Sequence, residues 1–334
     1  MQATQDVRWE GVGRSLLVYR PENDTCVSEG RAYVLELLRE AIRSLPDDDA
    51  VAVVVDCGPD VEGRAARLSR GRLVTAGLNW EHTLVRPGGR DSAGFAAGAV
   101  PTGRGDTYLV RLLDAAAHRR RHLLVDYSLP NVRNVSLAEP ALGRRMLYVA
   151  QVPPLPEAQQ QPEQPEQPEQ PADRRTDVLT TFCDPTGQPR RAEILRRLRA
   201  QCAADGRAFR NASDCFEGAA VRALYSDAKV VVNVRQTEDH HTLEELRLLW
   251  ALACGAVVVS EDGPLRELLP YARFVVWVGY DDVDAAVRRV LARYEETRVE
   301  LFGEGGVTLR RALEDMRAAN SRRVRAALAS SGGE

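Results

Sequence analysis

Short apolar runs alternate with helix-period stretches along almost the whole chain. Ser15 to Arg20 (SLLVYR) and Ala50 to Cys57 (AVAVVVDC) are rich in β-branched residues and read as buried strands. Between them, Gly30 to Leu45 carries Val34, Leu37, Leu38, Ala41 and Ile42 at helical spacing. Arg72 to Leu78 and His122 to Tyr127 (HLLVDY) predict two further strands, with a helix expected over Tyr108 to His118. Strands that alternate with helices favour a parallel sheet with crossover connections.

The alternation breaks at one place. Gln151 to Arg175 contains a tandem Gln-Pro-Glu repeat. Proline fixes φ and removes an amide donor, so the repeat favours extended segments without a core. It reads as a spacer or surface loop between an amino-terminal domain (1–150) and a carboxyl-terminal domain (176–334).

Past the linker the same grammar resumes. Strands are expected at Asp177 to Phe182, Lys229 to Val234, Ala256 to Ser260 and Arg273 to Val278. Helices are expected at Pro189 to Ala203, Phe216 to Ala228, Leu243 to Cys254, near Leu265 and at Asp281 to Tyr294. A long amphipathic helix over Thr308 to Leu328 closes the chain. The architecture this predicts is α/β, two doubly wound domains facing each other across a cleft.

Lys229 to Glu267 concentrates the chemistry. Its polar residues fall almost entirely at the carboxyl ends of two predicted strands, the edge where open parallel sheets bind ligands. Thr242 and Glu245 form a Thr-x-x-Glu capping box, which starts the helix just after Thr242. Leu243, Leu246, Leu249, Trp250 and Ala253 fall on its buried stripe, and Gly255 stands where a helix takes a left-handed terminating residue. Amides at the helix start are placed to hold a diphosphate, and His240 and His241 lie beside that start as donors to phosphate or sugar oxygens. Each feature also has a plain reading. Glu245 can be a cap only, Glu244 and Arg247 a helix-surface pair, and Glu261 a loop carboxylate. His241 and Glu245 have the i, i+4 spacing of metal ligands, but no third ligand is evident among five histidines, and no metal is expected.

Composition narrows the class. A chain of 334 residues with 44% hydrophobic and 28% charged residues describes a globular protein with room for two domains. A formal net charge of −3 makes no general electrostatic case for nucleic acid or anionic membrane. No apolar run approaches the roughly 18–20 residues of a transmembrane helix, and the amino terminus lacks the order of a secretory signal. Six dispersed cysteines without a CxxC pair suit reduced thiols, so a cytoplasmic or other intracellular location is expected.

The run NVRQTEDHHTLEELRLLWALACGAVVVSEDGPL, followed by PYARFVVWV, resembles the carboxyl-terminal domain of GT-B glycosyltransferases. It is most similar to a divergent glycosyltransferase-like group with a Thr-x-Glu-Glu-x-Arg…Cys-Gly…Val-Ser-Glu pattern. LNWEHTLV, DYSLPNVRNV and TTFCDPTGQPRR carry the same resemblance over most of the chain outside the linker. It implies two Rossmann-like domains around a cleft, with the nucleotide-sugar donor held by the carboxyl-terminal domain and an unknown acceptor by the amino-terminal one. No separate cofactor is implied.

By that resemblance, Asn233 to Glu261 lines the donor site, including Asn233, Arg235, His240, His241, Thr242, Glu244, Arg247, Ser260 and Glu261. Glu261 or Glu245 is placed to accept from ribose or sugar hydroxyls. With no Asp-x-Asp motif near a strand end, amides and the basic groups Arg235, Arg247 and Arg190 are the candidates to hold the leaving diphosphate. His82, beside Glu81 after a predicted strand, is the candidate base on the acceptor side and Glu245 the second catalytic candidate. Asp126 and Asn131 flank another strand end. The expected activity is metal-independent sugar transfer, with retention of configuration favoured.

One departure stands out. Many retaining members carry two glutamates separated by seven residues, and here Thr242 and Trp250 occupy those positions while the acidic pair is Glu244 and Glu245. The departure supports an alternative, a catalytically inactive glycosyltransferase-like binding or scaffold protein. A third reading is another nucleotide-sugar enzyme of this fold, such as an epimerase.

Overall fold

Val51–Val55 is buried at every position, as a strand covered on both faces requires. A computed structural model of the chain describes residues 5–9, 14–19, 28–46, 51–55, 72–80, 83–87, 100–101, 107–111, 122–138, 140–152, 174–182, 189–215, 218–236, 244–263 and 265–330. They divide into two units, Met1–Ala150 with Arg317–Glu334, and Gln151–Met316. The repeat between 153 and 173 lies outside the described residues.

In the first unit the order is β1 (Gln5–Trp9), β2 (Arg14–Tyr19), α1 (Ser28–Arg43), β3 (Val51–Val55) and β4 (Arg72–Asn79). Then come β5 (Thr83–Pro87), β6 (Val100–Pro101), β7 (Thr107–Arg111), β8 (Leu123–Asp126), α2 (Leu129–Ala138), α3 (Pro140–Gly143) and β9 (Met146–Tyr148). A sheet of order β1-β2-β3-β4-β8-β9 is parallel from β2 onward, with β1 antiparallel at its edge. The apolar stripe of α1 (Val34, Leu38, Ala41, Ile42) joins Val53, Val74 and Val125 in one core.

Two expectations are corrected here. Thr107–Arg111 is a strand, not the start of a helix: β7 pairs antiparallel with β5 and β6 in a three-stranded sheet, and 112–118 lie outside the described residues. A short Tyr-Leu-Val run fits either period, and pairing with strands elsewhere in the chain decides it. The second concerns the last helix, which was expected to belong wholly with the carboxyl-terminal domain.

The second unit contains β10 (Thr176–Thr180), α4 (Pro189–Ala204), β11 (Phe209–Asn211), α5 (Gly218–Asp227), β12 (Ala228–Asn233), α6 (Glu245–Ala253) and β13 (Val257–Glu261). β14 (Val275–Val278), α7 (Val283–Ala292), α8 (Tyr294–Phe302) and α9 (Val307–Ser330) follow. From Arg317 on, α9 belongs to the first unit. Val324 and Leu328 lie in its core, and buried Asn320 bonds both backbone groups of Ala150, donating to O at 2.7 Å and accepting from N–H at 3.2 Å. An amphipathic pattern shows that a helix has an apolar face; it does not show which core covers it.

The second sheet is fully parallel, with order β11-β10-β12-β13-β14. Its helix α6 starts at Glu245, after an N-cap Glu244 with no side-chain cap bond, rather than just after Thr242. Glu245 and every residue from Leu248 to Ala253 are buried, whereas Leu246 is only half-buried, so the covered surface is wider than a stripe. Gly255 adopts φ +72° as expected. The Gly255 and Ala256 N–H groups donate to Leu252 O and Ala251 O, which is a Schellman ending.

Candidate functional site

Strand order in the second sheet reverses at β10, which lies between β11 and β12. Connections leaving the carboxyl ends of β10 and β12 therefore diverge, and in such sheets the ligand crevice opens at that point. The residues there are polar in an otherwise valine-rich sheet: Thr180 ends β10, Asn233 ends β12, and Ser260 and Glu261 end β13. Asn233 pairs with Ser260 in register, and its Nδ2 donates to Ser260 Oγ at 3.2 Å.

Two Arg–Glu–Arg groups stand at this edge. In the first, Glu261, almost completely buried, accepts from the Arg235 N–H at 2.9 Å, from Arg235 Nη2 at 2.8 Å and from Arg190 Nη2. In the second, Glu244 Oε1 lies 3.4 Å from Arg191 Nη2 and 3.6 Å from Arg247 Nη1. Arg247 Nη1 also donates to Asn233 Oδ1 at 3.3 Å, and the Ser260 hydroxyl donates to Glu261 O at 3.1 Å, so polar contacts link the two groups. Four guanidinium groups thus meet the two carboxylates that bind them.

Local sequence explains the placement. Pro189 opens α4 at a position where a missing N–H does no harm, so Arg190 and Arg191 fall in the helix's first turn. Arg235 follows β12 by two residues, and Glu261 ends β13. Tyr280, just after β14, places its ring 4.0 Å from Arg190 Cζ and donates its hydroxyl to Arg190 O at 2.8 Å. Burial raises the Tyr280 phenol above its ordinary range, against the opposing pull of Arg190 and Arg197, so the hydroxyl remains a donor at neutral pH. Tyr225, raised by burial, lies 3.2 Å from the Thr181 hydroxyl beneath the edge.

Of the residues expected at the donor site, the fold brings together Asn233, Arg235, Glu244, Arg247, Ser260, Glu261 and Arg190. Glu245 is wholly buried as the first residue of α6. His82, His240, His241 and Thr242 lie outside the described residues. Sequence reasoning missed Arg191, Thr180 and Tyr280. The Pro-Arg-Arg run was the one signal for Arg191. Among the described residues no cluster of three His, Cys, Asp or Glu side chains is arranged to hold a metal, and no helix is long and apolar enough to cross a membrane.

In the first unit, Asp126 and Asn131 are fully buried. Asp126 accepts from Asn79 Nδ2 at 2.5 Å, Ser128 N at 2.8 Å and Asn131 Nδ2 at 3.1 Å, which ties β4 and β8 to the start of α2. That is an interior network, and the Asp126 carboxylate is committed to it rather than presented to a ligand.

No protein-family model and no curated protein matches the sequence. Solved structures do. One, described as trehalose-6-phosphate from E. coli bound with UDP-2-fluoro glucose, aligns over 97% of this chain and 90% of its own, with TM-score 0.51 and 10% identity. An α,α-trehalose-phosphate synthase (UDP-forming) from Burkholderia vietnamiensis aligns over 100% and 90%, with TM-score 0.50 and 11% identity. TarM aligns over 88% of this chain, which spans 58% of the TarM chain, at TM-score 0.48 and 7% identity, too low to argue from. At these identities the likeness is one of fold. The chain has the α/β architecture of GT-B glycosyltransferases, with two Rossmann-like parallel-sheet units.

Proposed function

We propose that this protein is a glycosyltransferase that takes a nucleotide-sugar donor and holds the donor's diphosphate with Arg190, Arg191, Arg235 and Arg247. The observation that carries this reading is the pair of Arg–Glu–Arg groups at the carboxyl edge of the second sheet, beside the strand-order reversal. Breaking the bond between the sugar's anomeric carbon and the diphosphate oxygen leaves negative charge on the diphosphate. Guanidinium groups oriented beforehand stabilise that charge as it develops, in the manner of other charge-stabilising sites. In this reading the cations are arginines, transfer is metal-independent, and the anomeric configuration is retained. Glu244, half-buried at the same edge, is the group for sugar and ribose hydroxyls, while buried Asn233 and Ser260 link the two arginine groups behind it. Glu261 acts chiefly by fixing Arg190 and Arg235.

A second reading, a nucleotide-sugar binding protein without turnover, is favoured by one observation. Trp250 is buried within α6, where the family resemblance puts a glutamate. Calorimetric titration of UDP, GDP, ADP and their glucose conjugates into the full chain tests the donor site. Binding of none of them, with or without divalent metal, sinks it. Release of free nucleoside diphosphate on adding a sugar-phosphate acceptor separates transferase from binder. That acceptor class is the first to try, since the solved structures of like fold include a trehalose-phosphate synthase.

A further inference from the structure

We infer that Tyr280 is a positioning residue for the donor diphosphate, acting through Arg190. The inference rests on the donor-site reading above and names a residue on a different strand end, outside every sequence block that suggested the site.

Tyr280 meets Arg190 at both ends. Its hydroxyl donates to the Arg190 carbonyl at 2.8 Å, and its ring faces the guanidinium at 4.0 Å. The carbonyl bond fixes the backbone at the first turn of α4, the root of the side chain. The ring fixes the tip. An arginine side chain loses much rotamer freedom when held in one place, and a site that has already imposed this loss binds its anion more tightly.

The kind of contact matters. An aromatic ring attracts the guanidinium through its π face and carries no net charge that would compete with an anion. Glu261 engages Arg190 through Nη2. Tyr280 and Glu261 thus restrain one cation by different contacts, a ring 4.0 Å from Cζ and a carboxylate on Nη2.

The test is calorimetric titration of UDP and of inorganic pyrophosphate into the full chain and its variants. Arg190→Ala is expected to weaken UDP binding at least about tenfold. Tyr280→Leu is expected to weaken it about three- to thirtyfold, the range of a partly desolvated cation–π contact. Tyr280→Trp keeps a ring and should restore most of that loss, while Tyr280→Phe isolates the hydroxyl and should show an intermediate loss. The double variant Tyr280→Leu/Arg190→Ala should bind no more weakly than Arg190→Ala alone, because the tyrosine acts only through the arginine.

Additive losses in the double variant would overturn the inference, since Tyr280 would then act by general support of the fold. So would wild-type affinity in Tyr280→Leu alongside a weakened Arg190→Ala, and in both cases the donor-site reading stands. If Tyr280→Leu does not fold, the Trp and Phe variants decide: equal losses in both, unrelieved by the ring, count against it. Failure of the wild-type protein to bind UDP, other nucleoside diphosphates or pyrophosphate overturns the donor-site reading itself.

Discussion

Arg235 reaches Glu261 by two routes, its backbone N–H donating to Oε2 at 2.9 Å and its Nη2 to Oε1 at 2.8 Å. The pairing joins the ends of β12 and β13 and orients a guanidinium at the same time. Glu261 therefore has a structural task that precedes any contact with a ligand. Its carboxylate is nearly inaccessible, so it is stable there only while its donors stay in place.

Glu261→Gln tests that dependence. The amide keeps the shape but presents an N–H pair to donors and removes the negative charge between Arg190 and Arg235. A loss of about 2–3 kcal/mol in unfolding free energy is expected, below the full cost of breaking a buried ion pair because both arginines are partly exposed. Urea denaturation reads it directly. An unchanged midpoint would mean that Glu261 does not hold the edge together.

Asn320→Ala tests the return of α9 to the first unit. Asn320 bonds the N–H and C=O of buried Ala150 and donates to the Tyr33 hydroxyl at 3.0 Å. Alanine leaves two buried backbone groups unpaired, and a loss of about 2–4 kcal/mol follows. Equilibrium unfolding should show it, with tryptophan fluorescence and circular dichroism followed in parallel. Loss below about 0.5 kcal/mol would show that water replaces the amide.

Asp177 gives a dependence on pH. Burial opposes its ionisation, but Lys229 Nζ at 2.7 Å, the Ala208 N–H at 2.8 Å and nearby Arg207 outweigh it and hold the carboxyl below its ordinary value. A carboxyl lowered in the folded state adds stability above its unfolded value of about 3.9 and loses that contribution as pH falls through the folded value. Asp177→Asn should thus be less stable than the wild type at pH 7, and the gap should narrow as pH falls below the unfolded value of about 3.9 and through the lowered folded value. A gap that stays constant from pH 7 to pH 3 would point to hydrogen bonding alone.

The buried strand β10, the valine-rich strands β12 and β13 and the glycine at 255 were legible because burial on both faces and a left-handed turn each leave a local mark. So was the Glu244–Arg247 pair, whose spacing alone brings the side chains together on a helix. The strands β9 and β11, three residues each, are too short to show a period. β7 pairs along its whole length with β5, from Pro87↔Thr107 to Thr83↔Arg111, and a local window cannot see so distant a partner. Arg191 was missed because arginine is read as a surface residue, whereas here its side chain is buried over Phe182 and its Nη2 reaches Val234 O and Glu244. Tyr280 acts only across strands, through Arg190, and leaves no mark in its own neighbourhood.

Trp250 poses the last question, since the family resemblance puts a carboxylate where this side chain stands. The indole is buried in α6, with Leu249 and Ala251 buried on either side and the Arg222 guanidinium 6.0 Å from its ring. Trp250→Glu is therefore not a restoration. It removes a large apolar side chain, a change that costs about 3–5 kcal/mol when the replacement is alanine, and it places a carboxylate in an apolar helix packing, with the Arg222 guanidinium 6.0 Å from the ring it replaces. The expected outcome is a protein that is unfolded or at least 10 °C less stable by circular dichroism, roughly, with no gain in nucleotide binding. Trp250→Phe, which keeps the helix apolar, should lose about 1–2 kcal/mol and bind UDP as the wild type does. A folded Trp250→Glu variant that binds UDP more tightly would show that the position faces the ligand after all, and that the tryptophan has displaced a donor contact rather than filled a core.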